Sequence, residues 1–109
     1  MAKIYKFYLE NVFNTLITKG KVATLRIAKP SSNYVIAQFI KNGSIKCLIR
    51  CRVINVIDLE PYVKNGKLHE LLNQYINISG FENVNHWLYT AKKLHKAIPK
   101  YLIILEKID

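Results

Sequence analysis

An Asn42-Gly43 step set between two apolar-rich runs constrains this chain more than any other feature. Asn-Gly tolerates the positive φ angles of a type I′ turn, the short link whose twist suits paired strands. Tyr34 to Ile40 and Ile45 to about Ile57 are therefore predicted as the arms of a β-hairpin. Alternation on the returning arm puts Ile45, Cys47, Ile49, Cys51 and Val53 on one face. Lys46, Arg50 and Arg52 fall on the other, with Leu48 and Ile54 among them. That second face is half basic, so it is either solvated or a binding surface.

The remaining elements follow from local pattern. Ile4 to Leu9 is rich in β-formers and reads as a first strand. Asn11 is the expected cap of a helix from Val12 to Lys19, because a short Asx side chain accepts from free amides. Gly20 ends that helix, and Ala23 to Ile27 alternates polar and apolar as a half-buried strand does. Lys29-Pro30-Ser31-Ser32-Asn33 is loop chemistry. Glu60-Pro61 and Asn65-Gly66 mark a turn before Leu68, Leu71, Leu72 and Tyr75, whose spacing predicts a short amphipathic helix. Ser79-Gly80-Phe81 breaks the pattern. Asn83 then precedes a second helix with Val84, Trp87, Leu88, Ala91 and Leu94 on one face and Tyr89, Lys92, Lys93 and Lys96 on the other. Pro99 closes it, and Tyr101 to Leu105 is a continuous apolar run suited to a buried strand.

The order is β-α-β-β-β-α-α-β, with no internal repeat. An α+β fold is expected, a single domain over residues 1–109. Its strands, about five and mostly antiparallel, would curl into a small, open, mixed barrel with the helices outside.

Charge narrows the partner. Seventeen Lys and Arg against seven Asp and Glu leave a net +10 dispersed through a half-apolar chain. An excess of this kind points to a polyanion carried on a folded basic face, not on a disordered arm. Cys47 and Cys51, if they share a strand, lie roughly 13 Å apart, beyond disulfide reach. No histidine stands at ligand spacing from them, so neither a metal nor another cofactor is expected. They read as reduced thiols of a cytoplasmic protein. No apolar run is long enough to span a membrane, and the opening MAKIYKFYLE lacks the apolar core of a signal peptide. A monomer or weak dimer is expected.

The stretch GKVATLR, Gly20 to Arg26, is the expected site. Lys21, Thr24 and Arg26 are predicted to converge on one concave, electropositive spot. Arg26 offers a bidentate fork, Lys21 a point charge and Thr24 one hydrogen bond. Arg50, Arg52, Lys92, Lys93 and Lys96 are expected to extend that footprint along a strand or hairpin of RNA, and an exposed Tyr34 or Tyr89 to stack a base. The competing expectation for Arg26 is an ion pair with Glu10, Asp58 or Glu106. Trp87 stands at core spacing, and His69, His86 and His95 stand alone as surface or core histidines.

GKVATLR followed by Ile27-Ala28-Lys29-Pro30 resembles the signature of the ASCH domain, a branch of the PUA-like fold whose motif often runs GKK-x-x-T-x-R. The opening strand and helix, the Gly80-Phe81 pair before the last helix and the terminal strand after Pro99 agree with it. The resemblance implies a PUA-like barrel with a cleft at the motif that binds RNA or modified nucleosides. It also implies an alternative, a hydrolase of modified nucleosides of the acetylcytidine amidohydrolase kind, or a ribonuclease. There Lys21 and Thr24 would be catalytic together with a glutamate ahead of the last helix. Ile78 and Ser79 stand at the matching place, and Glu82 lies just beyond. Without a second acid-base group the proton shuttle is incomplete, so binding is the expected role. A module that docks an acidic protein is the third reading.

Overall fold

The computed structural model describes residues 3–108. In chain order the elements are β1 (Lys3–Phe7), α1 (Glu10–Lys19), β2 (Lys21–Arg26), β3 (Tyr34–Lys41) and β4 (Ser44–Asp58). They continue with α2 (Glu60–Lys64), α3 (Leu68–Asn73), a 3₁₀ turn at Ile76–Ile78, α4 (Val84–His95) and β5 (Tyr101–Lys107). The strands form one five-stranded mixed sheet in the order β1-β3-β4-β5-β2. β1 runs parallel to β3, and the other pairings are antiparallel.

The hairpin at Asn42-Gly43 is present, with both residues at positive φ (54° and 78°). Its returning strand is long, 15 residues, and slips register between Val53 and Asn55. A bulge of this kind bends a strand and adds twist, so the sheet curls. The sheet is not closed into a barrel. β1 and β2 are its two edges, and no backbone ladder joins them among the described residues. The Arg26 side chain spans the gap instead, donating from Nη2 to the Lys6 carbonyl at 3.2 Å.

Curling gives the sheet two covered sides. Phe13 and Leu16 of α1 pack inside the curl against Tyr5, Phe7, Val22, Val35, Cys51, Ile103 and Leu105. α3 and α4 cover the opposite side at the β5–β2 end, where Leu72, Trp87 and Leu88 meet Ala23, Leu25, Leu102 and Ile104. β5 is thus buried on both faces, as its unbroken apolar run requires. Fully burying one such leucine contributes about 2 kcal/mol.

Local departures have local causes. α1 begins at Glu10 and not beyond Asn11; Leu9 occupies the cap with no side-chain bond, and the Glu10 carboxylate sits in the first turn, where it favours the helix dipole. The expected turn at Glu60-Pro61 is the helix α2. Proline is tolerated in a first turn, and the Asp58 side chain accepts from the Glu60 amide at 3.0 Å. Ile45 points outward, 57% exposed, because the register slips between Phe39 and Ile40.

Gly80 is confined by a close approach. Its φ is +84°, and a Cβ there would lie 2.8 Å from the Val12 Cα. The chain entering α4 is pressed against α1 at that point. Asn83 then caps α4, its side chain accepting from the His86 amide at 2.8 Å. No helix among the described residues is long and apolar enough to cross a membrane.

Candidate functional site

Alternation along β2 decides which residues of GKVATLR meet. Val22 belongs to the core inside the curl, while Ala23 and Leu25 belong to the core under α4. Thr24 and Arg26 share the parity of Val22 and so face β1. Residues three apart on a strand point to opposite sides. Lys21 therefore does not join Thr24 and Arg26, which corrects the expected convergence. Its register partner is Glu106 on β5.

Thr24 and Arg26 line a cleft of about 430 Å³ enclosed by β1, β2 and α4. Arg26 is fixed there by several contacts. Its Nε donates to the Thr24 hydroxyl at 3.1 Å and its Nη2 to the Lys6 carbonyl at 3.2 Å. The guanidinium carbon lies 4.7 Å from the centre of the Tyr5 ring and 4.8 Å from that of Phe7. Cation–π attraction and hydrogen bonds hold the group without neutralising it. No Asp or Glu lines the cleft among the described residues.

The expected ion pairs of Arg26 are absent because each acid is engaged elsewhere. Glu106 pairs with Arg52 and Glu10 with Lys41, while Asp58 accepts from the Glu60 amide. Burial pushes the Arg26 pKa down to about 10, an effect partly offset by Tyr5 and Tyr8. It stays protonated at neutral pH. Its remaining N–H donors, out of the five a guanidinium carries, are available to a ligand.

Two neighbours sharpen this picture. The Tyr5 hydroxyl is buried with no hydrogen-bond partner, and burial, ahead of the opposing effect of Arg26, raises its pKa. His95 Nε2 donates to the Leu25 carbonyl at 3.0 Å, which leaves Nδ1 as the unprotonated nitrogen of the neutral ring. Burial chiefly lowers the His95 pKa; the bond to Leu25 opposes that and the Arg26 charge adds to it. Sequence reasoning gave neither a place in the site and read His95 as a lone surface or core histidine. Tyr5 alternates with Phe7 on β1, and His95 follows Trp87 and Ala91 at helical spacing; these were the available signals.

Ser79, before Gly80-Phe81, is fully buried in the cleft wall. Its hydroxyl donates to the Ile76 carbonyl at 2.8 Å and accepts from the Phe81 amide at 3.0 Å. It is spent on backbone. Glu82 lines a separate hollow with Glu10 and His86.

The other expected binding residues lie outside the cleft. Arg50 and Arg52 are exposed on the convex face of β4, and Lys92, Lys93 and Lys96 are exposed at the end of α4. Trp87 is 2% exposed and packs, as its spacing predicts. Among the described residues no cluster of His, Cys, Asp and Glu is suited to a metal ion. Cleft and convex face thus divide the expected site between them, and the chemistry the cleft offers is that of an anion receptor with aromatic walls. Comparison with protein-family models, with curated proteins and with solved structures finds no match for this chain.

Proposed function

We propose that this chain is a small RNA-binding module of the ASCH type, with a PUA-like open barrel, that takes a phosphate-bearing nucleotide or modified nucleoside into the cleft. One observation carries the reading: the Arg26 guanidinium is partly stripped of water, faces the cleft, and meets no carboxylate. A desolvated cation without a counter-ion costs folding free energy, and a bound phosphate would offset that cost through charge-assisted hydrogen bonds. Tyr5 and Phe7 add aromatic surface beside the charge, and the net +10 of the chain draws a polyanion toward it. The curled sheet, with edges β1 and β2 facing each other across the cleft, supports the PUA-like reading. Two free cysteines support a cytoplasmic setting.

The hydrolase alternative has less to stand on. Lys21 lies on the opposite side of β2 from Thr24, and Ser79 replaces the glutamate.

Fluorescence anisotropy with a labelled oligoribonucleotide tests the proposal. Affinity is expected to fall steeply between about 50 and about 300 mM salt. Arg26→Met is expected to weaken binding roughly tenfold or more, the worth of one charge-assisted contact. Equal affinity at both salt concentrations overturns it.

A further inference from the structure

Outside the curl, the β1–β3–β4 end of the sheet carries an exposed face that no part of the cleft reading uses. Register places its side chains in rows. Lys6 stands beside Gln38 and Leu48, Ile36 beside Arg50, and Tyr34 beside Arg52. The last row continues through Glu106 to Lys21. Tyr34 is 55% and Leu48 58% exposed. Lys6 and its neighbour Ile4 also line the mouth of the cleft, so the face begins where the cleft opens.

We infer that this face carries the continuation of a single-stranded RNA whose one nucleotide occupies the cleft. The inference rests on the RNA-binding reading and goes further: the ligand is a strand of several nucleotides, not a free nucleoside and not a duplex. Charge selects the occupant. Lys6, Arg50 and Arg52 repel a second copy docked through the same face and attract a phosphate backbone. From Lys6 at the cleft mouth to Arg52 on β4 the path crosses two strand spacings, roughly 10 Å, and also runs along the strands from the Gln38 row to the Tyr34 row, roughly 13 Å. Tyr34 at its far end presents an open ring on which a base stacks without sequence preference. A duplex is the weaker ligand, because a paired base enters a cleft only after unstacking and flipping out, which costs free energy.

Anisotropy with oligouridylates of increasing length is the test, from a dinucleotide to about eight nucleotides, alongside a duplex of the same length. Affinity is expected to rise tenfold or more with length. R50A/R52A is expected to abolish most of that rise and to lower the salt slope by about 1.4, at about 0.7 for each phosphate contact on a single strand. Glu106→Gln, which removes the acid from the Tyr34–Arg52 row, is expected to tighten the long oligonucleotide about threefold. A length-dependent rise that survives R50A/R52A, or a duplex bound as tightly as the single strand, overturns the inference. So does a poly-glutamate peptide that binds in place of RNA with the same dependence on Arg50 and Arg52, since the occupant is then an acidic protein. Dinucleotide binding that depends on Arg26 but gains nothing with length removes this inference and leaves the cleft reading intact. Failure of every oligonucleotide to bind removes both.

Discussion

Arg26 and Arg52 are the same side chain in opposite circumstances. Arg52 stands in water on the convex face and pairs with Glu106, which raises its pKa and lowers that of the acid. Arg26 stands under the β1 edge among aromatic rings, and burial drives its pKa the other way. An exposed pair of this sort contributes little to stability because solvent screens it. A desolvated, acid-free cation is held in place only by a fold that fixes everything around it. Of the two, Arg26 is therefore the better candidate marker of a site, and Arg52 joins one only under the proposal that RNA runs across the sheet face.

The contrast breaks hardest on the cleft side. Gly80→Ala forces a side chain into a left-handed backbone and against the α1 backbone, for an expected loss of about 3 kcal/mol read by chemical denaturation. A loss near zero would mean that this wall yields. His95→Gln comes next. Because the folded His95 pKa lies below its usual 6.5, the unfolded chain binds its proton first. Stability is then full above pH 6.5 and declines as pH falls through the folded value. Melting temperatures of the wild type are expected to drop from pH 7 to pH 5, and those of His95→Gln to drop less. An identical decline would remove His95 from the account. The smallest effect belongs to the sheet face: Arg52→Ala is expected to leave the melting temperature unchanged within error, and a clear loss would end the contrast between the two arginines.

Much of the fold was legible because its signals are local. Asn42-Gly43, the helical spacing from Val84 to Leu94, and the unbroken run of β5 each act through neighbours in the chain. The place of the bend was not legible, since it depends on where β4 slips register beyond Val53. Nor was the start of α1, where an acidic first turn replaces the Asx cap at Asn11. The site was half legible. Thr24 and Arg26 were found by alternation, but the same alternation applied to Lys21 places it on the other side of β2. The freedom of Arg26 from acids was invisible, because it depends on Glu106 and Glu10 finding partners on other elements and on Asp58 accepting from the Glu60 amide.

β2 and β5 send alternate residues into both cores, so neither core keeps a wall of its own when the other melts. Heat is therefore expected to unfold the molecule in one cooperative step, and anything that binds the folded cleft is expected to raise the melting temperature of both cores together.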